Sequence, residues 1–351
     1  MALPVTPPIE PMLAKSAAAV PTGGYLYEPK WDGFRCLVFR DGDAVELASR
    51  GGNPLTRYFP ELVASLAEAL PPRCVLDGEI VVVQGSRLDF DRLSDRIHPA
   101  DSRIRLLARE TPATYVAFDV LAIDDDDLMA RPLAERHELL TGLFDPHPHV
   151  RVSRSTQDVE LARAWFETFE GAGLDGVVAK PLDGRYRPGE RTMVKIKHER
   201  TADVVVAGYR LHKSGPVVGS LMLGLHLDNG VLNYVGGASA FTMARRAALV
   251  GELAPLVVAE GAEHPWLGED DGAHRRPGTL NRWNAGKDRS FVALRPERVC
   301  EVRYDQLQAD RFRHSARFVR WRPDRRPESC GYEQLDVPTA YDLGDVLGRS
   351  G

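Results

Sequence analysis

Lysine is scarce in this chain, and where it stands is the first guide to the chemistry. Of 45 basic residues only seven are lysine: Lys15, Lys30, Lys180, Lys195, Lys197, Lys213 and Lys287. A coding bias toward arginine would account for the ratio by itself. Arginine stays protonated, however, whereas lysine can lose its proton and act as a nucleophile. Lys30 lies in Glu28-Pro29-Lys30-Trp31-Asp32-Gly33-Phe34-Arg35, between a strand and a turn. Neighbouring cations, desolvation or a metal can turn such an amine into a nucleophile. Taken alone, it would read as half of a surface salt bridge.

Lys195 and Lys197 stand two apart in the apolar run Met193-Val194-Lys195-Ile196-Lys197, so a strand points both to one face. Two cations on one face repel unless an anion lies between them, and phosphate is the natural candidate. Lys180 ends the neighbouring run Gly176-Val177-Val178-Ala179-Lys180. If the two strands pair, three lysines line one cleft; the competing reading is an edge strand guarded by lysines. Carboxylates also interrupt apolar strands: Asp77 and Glu79 on one, Asp119 on another, Asp175 before a third. Buried carboxylates are costly unless paired or bound to metal. Beside lysines they suggest a nucleotide–magnesium site, since Mg²⁺ favours oxygen ligands and phosphates. The sequence has no GxxxxGK[ST], HExxH or GxSxG pattern, so P-loop, zincin and serine-hydrolase sites are not indicated.

The elements that must position these residues alternate. Arg35–Phe39 and Ala44–Leu47 read as a hairpin turned at Asp41-Gly42-Asp43. Pro60 opens a helix running to Leu70, with Leu62, Val63, Leu66 and Leu70 at helical spacing. Cys74–Val83 reads as one long buried strand, Thr114–Leu121 as another, and Asp158–Ala172 as a helix. The pattern changes near Thr201. Short β runs follow, interrupted by a helix over Thr242–Val257, and this suits a five-stranded barrel of the OB type. The boundary is expected near residue 200.

The 351 residues match two domains, and 43% apolar with 27% charged residues is an ordinary globular balance. No apolar run is long enough to span a bilayer, and the N-terminus lacks the pattern of a secretory signal. The expectation is a cytoplasmic protein. Cys36, Cys74, Cys300 and Cys330 show no metal spacing and read as reduced thiols. The net charge of −5 conceals a stretch of +9 over residues 273–326, which suggests a polyanion on one side. Trp165, Trp266 and Trp283 read as packing residues, and Asp124-Asp125-Asp126-Asp127 as a solvated turn.

The spacing of these segments resembles ATP-dependent DNA ligases, within the superfamily that also holds RNA ligases and mRNA capping enzymes. Lys30-Trp31-Asp32-Gly33-Phe34-Arg35 matches the KxDGxR signature. Ser49-Arg50-Gly51, Asp77-Gly78-Glu79, Phe118-Asp119-Val120, Asp175–Lys180 and Met193–Lys197 follow in the family's order, and Arg322-Pro323-Asp324-Arg325 stands where the family has its C-terminal basic motif. Tyr186-Arg187-Pro188-Gly189-Glu190-Arg191 and Phe318–Asp324 resemble bacterial ligases of the C and D types. The resemblance covers nearly the whole chain. Two departures stand out: Asp175 replaces a glutamate common in relatives, and Arg325 a lysine.

The resemblance implies an α+β chain, with a nucleotidyltransferase domain of antiparallel sheets and helices over 1–200 and an OB-fold domain over 201–351. It implies that Lys30 attacks the α-phosphorus of ATP to form a lysyl-adenylate. AMP would then pass to a DNA 5′-phosphate, and the 3′-hydroxyl would displace it. Glu28 and Phe118 would hold adenine. Arg35 and Glu79 would contact ribose or phosphate, and Arg50 the nick. Lys180 belongs to the same nucleotide site, and Lys195 and Lys197 would neutralise the α-phosphate. Arg322, Asp324 and Arg325 would orient the leaving pyrophosphate. Asp175, with Glu79 and Asp32, would bind Mg²⁺ or Mn²⁺. The implied partners are nicked or broken duplex DNA and end-binding repair proteins, for a monomeric enzyme of DNA repair or end joining at the bacterial nucleoid. An RNA ligase or capping-type nucleotidyltransferase is the rival enzyme reading, and the segments around Tyr186 and Trp321 favour DNA over it. A decayed, non-catalytic OB binder is the other, and Lys30, Lys180, Lys195 and Lys197 kept in a lysine-poor chain argue against it.

Overall fold

The computed structural model describes residues 3–145, 147–259, 261–268, 272, 274–277, 290–335 and 339–347. The chain divides into two compact units, one of Met1–Lys197 with Pro338–Gly351 and the other of His198–Val337. Trp283 lies outside the described residues. Among the described residues no helix is long and apolar enough to cross a membrane.

The first unit is built on two sheets. The larger runs Ala44–Ser49, Phe34–Asp41, Arg73–Gln84, Ala113–Ile123 and Asp126–Asp127, all antiparallel neighbours. Strand alternation divides its side chains. Cys36, Val38, Leu76 and Ile80 join a core with Leu62 and Leu66 of the helix Pro60–Ala69. Leu37, Phe39 and Val75 join another with Tyr186 and Met193. The second sheet has the order Leu13–Ala17, Arg191–Ile196, Val177–Pro181 and Tyr25–Pro29. Its register pairs Val178 with both Glu28 and Lys195.

The second unit is a five-stranded antiparallel sheet ordered Leu232–Ala238, Gly215–His226, Arg200–His212, Val292–Tyr304 and Arg317–Trp321. Its ends meet at a parallel bridge between Ala238 and Ala316, which closes the sheet as an OB barrel. The helix Met243–Leu253 follows the strand Leu232–Ala238 in the chain, and the Thr242 side chain caps it by accepting from Arg245 N–H. Trp266 is buried in this barrel and donates from Nε1 to Leu232 O at 2.9 Å.

The expected assignment of everything after residue 200 to the barrel differs from the structure at the C-terminus. Residues 339–347 pack on the first unit. Leu343 and Val346 are buried with Trp165 and Phe169, and Leu343 N–H donates to Ser86 O at 2.8 Å. Arg154 Nη1 donates to Asp345 O at 2.7 Å. Gly171 makes room for this segment, since a Cβ there would lie 1.8 Å from Thr339 O. A helix of five residues, Leu343–Leu347, is too short for periodicity to reveal. The helix expected over Asp158–Ala172 likewise ends early, at Thr168, and continues as a 3₁₀ turn over Phe169–Ala172.

Leu343→Ala is expected to destabilise the first unit by about 2–4 kcal/mol, the usual cost of emptying a buried leucine site. Urea unfolding followed by Trp165 fluorescence in a variant lacking the other tryptophans would check it; a midpoint unchanged from the parent would refute the docking.

Candidate active site

One cavity of about 250 Å³ in the first unit gathers most of the residues singled out above. Glu28, Lys30, Arg35, Arg50, Glu79, Phe118, Lys180, Lys195 and Lys197 all line it. Alternation in the smaller sheet explains the set: Glu28 and Lys30, then Val178 and Lys180, then Met193, Lys195 and Lys197 share one face.

Lys30 Nζ lies 2.7 Å from Asp175 Oδ2, and Lys197 Nζ lies 2.6 Å from the same oxygen. The backbone fixes this pairing. Asp175 N–H donates to Lys30 O at 2.9 Å, and Lys30 N–H donates to Gly176 O at 2.8 Å. Gly176 has φ of +117°, and a Cβ would sit 2.0 Å from Ile196 O, so only glycine lets the two strands close here. Asp175 is 9% exposed, so its charge is largely desolvated and needs its two cations. Lys195 lines the same wall, where burial and then the charges of Lys197 and Lys30 push its pKa down.

Around Phe118 the cavity is aromatic and cationic. Lys180, 3% exposed, donates to Glu28 Oε1 at 2.9 Å and to Phe118 O at 2.8 Å. Its Nζ lies 4.5 Å from the centre of the Phe118 ring, and Arg35 Cζ lies at 4.5 Å as well. Burial pushes the Glu28 carboxyl up to about 7, with Lys180 opposing it. Glu79 Oε1 accepts from Gly33 N–H at 3.2 Å. Burial raises Glu79 to about 7 as well, against the pull of Arg35 and Lys30.

Three expected site residues lie in the second unit. Arg322 Nη1 donates to both oxygens of Asp203 at 2.9 Å, and Arg325 Nε lies 3.3 Å from Asp203 Oδ2. Arg322 also binds Asp324 at 2.8 Å, which holds that exposed carboxyl down at about 2. Asp203, missed by the sequence reading, organises this group. Of the expected metal ligands, Glu79 lines the cavity, Asp175 lies behind its wall in contact with Lys30 and Lys197, and Asp32 is half-buried and does not line it. Among the described residues no group of three or more His, Cys, Asp and Glu side chains could hold a metal ion unaided.

Two more outcomes concern buried charge. Asp119, a candidate for nucleotide chemistry, is instead paired with the fully buried Arg136 through contacts of 2.8 and 3.0 Å. Asp77 binds Arg35 and Tyr186. Its position two residues before Glu79, on the same face of a strand, was the available signal.

An ATP-dependent DNA ligase domain model matches residues 11–197, and an ATP-dependent DNA ligase C-terminal region model matches residues 214–325. The chain belongs to the ATP-dependent DNA ligase family. DNA ligase C of Mycobacterium tuberculosis is 54% identical to it over 356 residues, covering 99% of each chain. The repair protein LigD of the same species, whose name describes multifunctional non-homologous end joining, is 30% identical over 91% of this chain and 39% of its own length. A solved structure of a Lig E DNA ligase shares the fold, with a TM-score of 0.56 at 17% identity over 89% of this chain and 99% of that one. The ligase match over both units sets aside the RNA ligase and capping readings. The protein is an ATP-dependent DNA ligase enzyme with a nucleotidyltransferase-type fold and an OB barrel.

The raised Glu79 carboxyl has a consequence for this ligase without nucleotide. The folded state keeps that proton to about pH 7, whereas the ordinary carboxyl loses it near 4.5. The contribution to stability is therefore full below pH 4.5 and is lost as pH rises to about 7. Urea unfolding across this range is expected to show stability falling with pH, with a shallower fall in Glu79→Gln. Equal slopes in the two proteins would remove Glu79 from this role.

Proposed function

We propose that Lys30 is the nucleophile of the ligase reaction. The convergence of Lys30 and Lys197 on Asp175 beside a cavity that Phe118 also lines carries this reading. The Lys30 amine attacks the α-phosphorus of ATP, its Nζ–P bond forms, and the bond to the β-phosphate oxygen breaks as pyrophosphate leaves. Asp175, already accepting from the ammonium, is the base within reach for its proton. Lys195 and Lys197 neutralise charge growing on the phosphate oxygens. Glu28 and Phe118 hold adenine, with Lys180 fixing Glu28 from behind, and Arg35 and Glu79 hold the ribose side.

In the next step a DNA 5′-phosphate oxygen takes AMP from Lys30, and a 3′-hydroxyl then displaces AMP and seals the strand. Arg50 contacts the nick. Arg322, Asp324 and Arg325 of the second unit orient the pyrophosphate in the first step. Asp175 and Glu79 would be the protein ligands of a divalent cation, whereas Asp32, off the cavity, would not reach it. They offer carboxylate oxygens among lysines, and the triphosphate would bring further oxygen donors. Mg²⁺ or Mn²⁺ would there offset phosphate charge. The likeness to LigD supports a place in repair or end joining on nicked or broken duplex DNA, where end-binding proteins are the expected partners.

Incubation with α-³²P-ATP, α-³²P-GTP or labelled NAD, with Mg²⁺ or Mn²⁺, followed by a denaturing gel, tests the first step. Label from ATP is expected, with none in Lys30→Ala. An adduct persisting in a folded Lys30→Ala protein would sink the assignment. Arg325→Ala is expected to slow labelling by ATP more than tenfold while still sealing a nick supplied already adenylated. Equal losses in both assays would count against the pyrophosphate role.

A further inference from the structure

Tyr186 is 4% exposed and carries a hydroxyl whose two hydrogen bonds leave it no freedom. Met12 N–H donates to that oxygen at 3.1 Å. An amide N–H can only donate, so the single hydroxyl hydrogen is available to the other neighbour, Asp77 Oδ2, at 2.6 Å. Asp77 is fully buried, and its two oxygens also accept from Arg35 Nε and Nη2 at 2.6 Å each. Arg35 Nη2 reaches Met12 O at 3.3 Å, which ties the group into a ring. Two of the three guanidinium nitrogens are thus committed, and Arg35, which lines the cavity beside Phe118, has Nη1 to offer a ligand.

The segment carrying Tyr186 is itself anchored. Tyr186 N–H donates to Met129 O at 2.9 Å, and Arg136 Cζ lies 5.8 Å from the ring centre. Arg136 is held in turn by Asp119. The Asp119–Arg136 pair therefore packs behind the tyrosine.

We infer that Tyr186 is a positioning residue for nucleotide binding, acting through the Asp77 carboxylate to fix the Arg35 guanidinium against Phe118 at the ribose side of the cavity. This rests on the reading of the cavity as the ATP site. Tyr186 touches no nucleotide atom in this scheme. Its hydroxyl keeps Asp77 fully satisfied and the fork of Arg35 in one orientation. Without it, a buried carboxylate lacks one donor and can rotate, carrying Arg35 with it.

The test is calorimetric binding of α,β-methylene-ATP, which cannot adenylate the enzyme, so binding is read whether or not Lys30 is the nucleophile. Tyr186→Phe keeps the ring and removes the hydroxyl. It is expected to weaken binding about tenfold, the scale for losing a hydrogen bond to a charged group, with a melting temperature near the parent's. In an Arg35→Gln background the same substitution is expected to cost less than about twofold, because coupled residues are not additive. Asp77→Asn serves as a second variant and should mimic Tyr186→Phe. Unchanged binding in Tyr186→Phe, or an undiminished tenfold loss in the Arg35→Gln background, would overturn the inference. Binding by the parent without any ATP-derived adduct would instead count against the Lys30 assignment and leave this inference standing.

Discussion

Two ammonium groups share one carboxylate oxygen in the first unit, and most of the site follows from that. Lys30 and Lys197 each stand just past the end of a different strand, Tyr25–Pro29 and Arg191–Ile196. Held at 2.7 and 2.6 Å from Asp175 Oδ2, they converge on the same wall. The contact requires Gly176, because the chain carrying Asp175 passes too close to Ile196 for any side chain. A backbone constraint thus sets the charge pattern. The wall carries more positive than negative charge once Lys195 is counted, and a polyphosphate is the ligand that balances it. The Asp175 carboxylate reaches both lysines.

The surroundings of Phe118 solve a different problem. Phe118 offers an aromatic surface, yet two cations crowd its ring. Each is disciplined by a carboxylate: Lys180 by Glu28, Arg35 by Asp77. Such pairs add little net stability when buried. Their value here is orientation, since each fixes one charged group where a nucleotide would meet it. The Asp119–Arg136 pair does not line the cavity and packs against the Tyr186 ring.

Much of this was legible from residue order. The strand alternation of Lys195 with Lys197 placed both on one face because side-chain direction in a strand has a fixed period, and both line the cavity with Lys180. The hairpin Phe34–Asp41 to Ala44–Ser49 and the helix Pro60–Ala69 followed from turn residues and spacing. What stayed hidden were partnerships between residues far apart in the chain. Asp119 and Asp77 look alike as carboxylates within apolar strands, but one meets Arg136 and the other Arg35. Asp203, which gathers Arg322 and Arg325, sits in an ordinary β run. Periodicity reports the face a side chain takes; the partner waiting on that face is decided by the fold.

The docking of residues 339–347 also changes the topology of the chain. The OB barrel is no terminal appendage but an insertion, with the polypeptide leaving the first unit after Lys197 and returning to it beyond residue 337. Both ends of the barrel's chain are pinned. When the barrel alone unfolds, it becomes a closed loop with less freedom than a dangling tail, so its unfolded state is entropically penalised. A single proteolytic cut within the barrel would likewise leave two pieces that both contribute to one core, through Ile196 on one side and Leu343 on the other. Such a nicked molecule would travel as one particle until denatured.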